Sequence, residues 1–138
     1  MRAAIASMAT IATFEGVNEN DHLVVTRTDV PLPHWPREAD GLKIGQLSDF
    51  HADYEHAVQR VARAAEMLIA EKPDLVIITG DYVSDHTTTR RFIAPTVEAQ
   101  SVLARVPRGA FAIMGNHDYW GGNVNIATHY LRHRAFKC

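Results

Sequence analysis

The sequence predicts an α/β fold with mostly parallel strands and flanking helices. Three observations carry that expectation. From residue 40 onward the pattern runs strand, helix, strand, helix, strand, an alternation that builds a parallel sheet through right-handed crossovers. Two of the strands, "LVIIT" at 75–79 and "FAIM" at 111–114, are unbroken apolar runs, as expected of parallel strands covered on both faces. Between strands, residues 55–71 place Val58, Val61, Ala62, Ala65, Leu68 and Ile69 three and four apart, which is one apolar stripe of a helix.

Composition bounds the function classes. A chain of 138 residues is the size of one domain, and 46% hydrophobic with 22% charged residues suits a globular core. The formal net charge of −2 gives no electrostatic attraction to nucleic acid or to an anionic membrane surface. One cysteine, Cys138, excludes an internal disulfide framework and argues against a thiolate metal site. Location stays open between cytoplasmic and membrane-associated.

Each element follows in order. Residues 1–20 are expected to be a poorly ordered leader or anchor remnant. Their Ala-rich run is shorter than the roughly 20 apolar residues that span a bilayer. Residues 21–138 are expected to form the domain. It opens with a β-branched strand at 22–30, followed by a loop holding Pro31, Pro33 and Pro36. A second strand, 42–48, leads to the helix at 55–71, with Asp53 as its cap and Pro73 beyond its end. The third strand is 75–79. A Thr-rich loop at 86–89 then enters a helix over 95–106, where Pro95 is tolerated in the first turn. The strand at 111–114 follows. A last helix over 125–133 puts Ile126 and Tyr130 on one side.

Ligands of open α/β sheets gather beyond the carboxyl ends of the strands, so the residues after each strand matter most. Strand 42–48 runs into Asp49 and His51, strand 75–79 into Gly80 and Asp81, and strand 111–114 into Gly115, Asn116, His117 and Asp118. One Asp after a strand is usually a turn residue, and "GD" alone is a common turn. Three consecutive strand ends that all carry ligand-type side chains have no packing rationale. Carboxylate, imidazole and amide oxygen without thiolate suit Mn, Fe, Zn or Mg. Alternation sends Asp49 and His51 to one side if strand geometry persists through them. Gly80 and Gly115 allow a sharp turn and close backbone approach.

In this order, D-x-H, G-D and G-N-H-D resemble the calcineurin-like metallophosphoesterases. "KIGQLSDFHA", "KPDLVIITGDYV" and "FAIMGNHDYWGG" are especially similar to a bacterial subgroup of small, often membrane-associated phosphodiesterases. The resemblance covers about residues 42–131 and implies the N-terminal half of an α/β sandwich. It implies two divalent metal ions: Asp49, His51 and Asp81 hold the first, and Asp81 bridges to a second that Asn116 also binds. His117 is implied as the catalytic group beside the scissile phosphate. The implied substrate is a phosphorylated small molecule or a phosphodiester, and membrane association through a missing or vestigial N-terminal segment is a further implication. The family pattern continues with a later His and a G-H-x-H motif. After His117 this chain has only His129 and His133, which fall on a surface helix. The expectation is therefore a truncated domain with a sticky, exposed sheet edge. A non-catalytic fragment or binding module with a residual metal site is the alternative.

The remaining histidines carry less. His34 reads as loop packing beside Trp35, His56 as a solvated helix residue, and His86 as an ordinary loop residue in preference to one that approaches substrate. "GDYVSD" puts Ser84 where many relatives have an acid. Tyr119 and Trp120 either wall the pocket or pack on a further part of the fold, the second being preferred.

Overall fold

The computed structural model describes residues 22–84 and 87–138, with the backbone of 9–11. Most of the expected leader, and His86, lie outside the described residues. The sheet has five strands in the order β2-β1-β3-β4-β5. Strand β1 (Ala9–Ile11) pairs antiparallel with β2 (Thr26–Thr28) and parallel with β3 (Ile44–Leu47). Strands β3, β4 (Leu75–Ile78) and β5 (Ala110–Ala112) are parallel neighbours. The expected strand at 22–30 shrinks to its exposed Thr26–Thr28 core, because its sheet partner is only the three residues of β1.

Helix α1 (Glu55–Ala70) crosses from β3 to β4. From β4 to β5 the chain uses a 3-10 turn (Arg90–Phe92), α2 (Ile93–Ala99) and a second 3-10 segment (Ser101–Arg105). The single helix expected over 95–106 is thus broken. The break falls at Gln100, which leaves helical geometry at φ −103° and ψ 5° and is fully buried. Helix α4 (Val124–His133) packs on α2, which packs on α1. Its buried positions are Ala127 and Leu131, displacing the expected Ile126 and Tyr130 face by one residue.

Successive strands advance in one direction, so right-handed crossovers put both connections on one face. The burial pattern agrees. Gly45, Val76 and Ala110 form one cross-strand row and Leu47, Ile78 and Ala112 the next, and all six are buried. A Cβ on Gly45 would stand 2.8 Å from Leu68 Cδ1, so α1 lies directly on the sheet there. The alternate residues are not covered in the same way. Leu75 and Ile77 are half-buried and Ile113 is 58% exposed, which corrects the expectation of strands buried on both faces.

Each margin of the sheet carries one further contact. Beyond α4, Lys137 pairs with β5 through Lys137 N–H to Ala110 O and Ala112 N–H to Lys137 O, each 2.9 Å, while Phe136 is buried. At the other margin Arg27 of β2 grips Glu71, just past α1, with Nε to Oε2 at 2.8 Å and Nη2 to Oε1. Asp53 does not cap α1: the N-cap is Tyr54, without a side-chain cap bond. Among the described residues no helix is long and apolar enough to cross a membrane.

Candidate metal centre

Strand geometry stops at Leu47, and Asp49 and His51 turn into left-handed backbone at φ 55° and 40°. Asp81 does the same after β4, at φ 57°. Non-glycine residues rarely adopt this region, with Asp, Asn and His the most tolerated, and such strain collects at functional sites. The expected alternation of Asp49 and His51 therefore fails: Asp49 is exposed and His51 half-buried.

Pairing between the β3 and β4 extensions nevertheless continues past the strands. Asp49 N–H donates to Gly80 O (3.1 Å), His51 N–H to Asp81 O (3.0 Å) and Ala52 N–H to Tyr82 O (3.0 Å). The third segment is fastened by Asp118, which is fully buried. Its Oδ2 accepts from Asp81 N–H and Gly115 N–H, both 2.8 Å, and its Oδ1 from Tyr82 N–H at 3.1 Å. Burial pushes the Asp118 carboxyl above the usual carboxylate range, and the three backbone donors only partly oppose that. Tyr82, also fully buried, has its phenol pushed up by the same cause. Gly80 and Gly115 pack backbone to backbone, since a Cβ on Gly80 would lie 2.7 Å from Gly115 Cα.

The short helix α3 (Asn116–Trp120) starts here, a feature not anticipated from the sequence. Its signal is present: an acid at the third helical position bonding back to the N-cap N–H is half a capping box, and Asp118 does this to Gly115. At the start of α3, His117 N–H donates to Asp81 Oδ1 at 2.8 Å.

This framework gathers His51, Asp81 and His117, whose ligand atoms all lie within 4.8 Å of one another. The Asp49 carboxylate is not in that group. Asn116 is exposed at the start of α3. The two imidazoles meet edge to face at 4.8 Å. His129 and His133 lie exposed on α4, as expected.

Two further residues support the group. His51 Nδ1 lies 3.3 Å from Ser84 Oγ, and that hydroxyl donates to Asp53 Oδ2 at 2.6 Å. Asp53 Oδ1 also accepts from Ser84 N–H at 2.8 Å. With its one proton given to Asp53, Ser84 Oγ accepts from His51 Nδ1–H, leaving the Nε2 lone pair for a ligand. Such outer partners orient metal-binding imidazoles. Asp53, expected as a helix cap, and Ser84, noted only as a departure, meet His51 through tertiary contact.

The donor set fits a divalent cation. Two imidazoles and a carboxylate suit Zn, Mn or Fe. His117 Nδ1 is buried without a hydrogen-bond partner, as a nitrogen awaiting a cation or a proton-linked partner would be.

Comparison with known proteins points the same way. The family described as calcineurin-like phosphoesterase matches residues 42–136. An uncharacterized metallophosphoesterase of Aquifex aeolicus is 32% identical over 98 residues, 70% of this chain and 35% of that protein. A Bos taurus transmembrane protein with metallophosphoesterase domain is 28% identical over 128 residues, 91% of this chain and 28% of that protein. The UDP-2,3-diacylglucosamine pyrophosphatase LpxG of Chlamydia muridarum is 29% identical over 103 residues, 73% of this chain and 30% of that protein. The chain spans about a third of the length of these relatives. No solved structure matches.

Proposed function

The chain belongs to the calcineurin-like phosphoesterase family, and from that premise we propose that it carries the metal-dependent site of a phosphoesterase acting on phosphomonoesters or phosphodiesters. The observation that carries this reading is the convergence of His51, Asp81 and His117 within 4.8 Å on a strained strand edge. In the reading, Asp49, His51, Asp81 and Asn116 are the ligands of two divalent ions. When bound, two such ions clamp a phosphate, lower the pKa of a water toward neutrality and offset developing negative charge.

The chain's own groups do the rest. Asp81 would be the carboxylate shared by the two ions, since it stands between the other two strand ends and is held by His117 N–H. Ser84 and Asp53 set the His51 tautomer. His117 stands beside the scissile phosphate and gives an imidazole proton to the departing ester oxygen as the P–O bond breaks. General acid help of this kind contributes about 10²–10⁴-fold.

One observation favours a second reading. The compact group contains His117 and not Asp49, which suits a module binding a single ion through His51, Asp81 and His117. The test is hydrolysis of bis-p-nitrophenyl phosphate by the 138-residue chain with Mn²⁺, beside Asp81→Asn and His117→Ala. Metal-dependent turnover that Asp81→Asn abolishes is expected, with His117→Ala inactive yet still binding metal. Background rates throughout would sink the phosphoesterase reading. Loss of the ion on His117→Ala, with one ion per chain, would favour the single-ion module.

A further inference from the structure

Trp120 is the last residue of α3 and is 69% exposed, although it is the largest apolar side chain near the site. Its indole stands 5.1 Å from the His117 ring at 68°. His117 in turn meets His51 edge to face. The three rings thus run outward in one chain from the candidate metal centre, and the outermost one is open to solvent.

The segment that carries Trp120 is held firmly. Gly121 N–H bonds His117 O at 2.9 Å and Asn123 N–H bonds Asp118 O at 2.8 Å. From the other side Arg90 donates Nε to Asn123 Oδ1 (3.0 Å) and Nη2 to Gly121 O (3.1 Å). These bonds fix the backbone on which Trp120 sits, and its indole, in ring contact with His117, leaves most of its surface open. A ring carried on a held backbone has only its own two side-chain torsions to order, and that keeps the cost of binding low.

We infer that Trp120 is the stacking platform for a flat aromatic ring carried by the phosphoester, and so a specificity-determining residue. The inference rests on the phosphoesterase reading above and names its substrate class: esters whose phosphate bears a nucleobase or another aryl group. A group on the phosphate that extends past His117 meets the indole next. The two exposed large side chains of α3, Tyr119 and Trp120, are both aromatic, and α3 offers no aliphatic side chain to line a groove for an acyl chain. Stacking of a base on an aromatic side chain is worth about 1–3 kcal/mol, or about 5- to 140-fold in affinity.

The test is equilibrium binding to the Zn²⁺-loaded chain of three probes: AMP, phenyl phosphate and ribose 5-phosphate. Calorimetry reads affinity. In a Trp35→Phe background, which leaves Trp120 as the one indole, fluorescence reads stacking. At least one aromatic probe is expected to bind five-fold or more tighter than ribose 5-phosphate and to quench the indole. Whether AMP or phenyl phosphate leads identifies the ring as base or simple aryl. Trp120→Ala is expected to erase that preference and Trp120→Phe to keep most of it. Equal binding of all three probes, or a preference unchanged in Trp120→Ala, overturns the inference while leaving the phosphoesterase reading intact. If no probe binds in a way that needs metal and Asp81, ribose 5-phosphate included, both fall together.

Discussion

Gly41 and Gly80 both hold left-handed backbone, at φ +81° and +93°, but they stand at opposite ends of the parallel strands. Gly41 precedes β3, and nothing lies within 4 Å of where its Cβ would be. Gly80 follows β4, and a Cβ there would lie 2.6 Å from Met114 C and closer still to Gly115 N. A pair of aspartates repeats the contrast. At the amino ends, half-buried Asp74 accepts one side-chain bond, from Lys43 N–H at 2.9 Å. At the carboxyl ends, Asp118 is sealed from solvent and accepts three. One end is a surface turn that tolerates change. The other is a close-packed junction in which strain and buried charge are held by neighbouring segments. In α/β sheets that second end is where ligands bind, and the tight construction there serves positioning more than stability.

The comparison breaks most visibly at the aspartates. Asp118→Ala strands three backbone N–H groups, each costing about 1–3 kcal/mol when left unsatisfied in a buried place. A loss of at least about 3 kcal/mol is expected in urea unfolding, against about 1 kcal/mol for Asp74→Ala. Similar losses would show that the junction is not specially sealed. The glycines come next. Gly80→Ala adds overpacking, typically about 1–3 kcal/mol, to a left-handed penalty of about 1–2 kcal/mol. Gly41→Ala is expected to show the second alone, so the difference in unfolding midpoint isolates the close approach.

Ser84→Ala sharpens the comparison on the functional side. It releases His51 Nδ1 and the Asp53 carboxylate. Metal affinity is expected to fall about 10- to 100-fold, with little change in unfolding. The reverse pattern, lost stability with unchanged affinity, would make Ser84 a loop staple only. The smallest effect is on pH. The folded Asp118 carboxyl lies above its ordinary value, so the folded state holds its proton to higher pH than the unfolded state. The stability linked to this group is complete below the unfolded value and is lost as pH rises through the folded one. Metal-free protein should lose that increment over this window, and Asp118→Asn should remove the slope; a slope that persists unchanged would assign it to another group.

Much of this was legible in the chain itself. Unbroken apolar runs marked β4 and β5, the three- and four-residue spacing marked α1, and polar residues after three strands marked the edge where His51, Asp81 and His117 meet. Other features were silent for identifiable reasons. Strand β1 is three residues of an Ala-rich run, too short to show a period. Asp53 looks like a cap because caps are local, whereas its partner Ser84 is 31 positions away. The half-open sheet face was hidden because Leu75 and Ile77 are as apolar as Val76 and Ile78, and hydrophobicity alone does not tell which face a helix will cover.

By itself, then, the order of residues determined the α/β class, the crossovers and which side chains reach one edge, because these follow from periodicity and chain direction. Tertiary structure decided how they meet there. Left-handed turns at Asp49, His51 and Asp81, the pairing of segments beyond the strands, and the buried Asp118 that ties them arise only when three distant stretches share one low-dielectric junction. There an unpaired N–H or a misplaced Cβ costs too much for any other arrangement to compete.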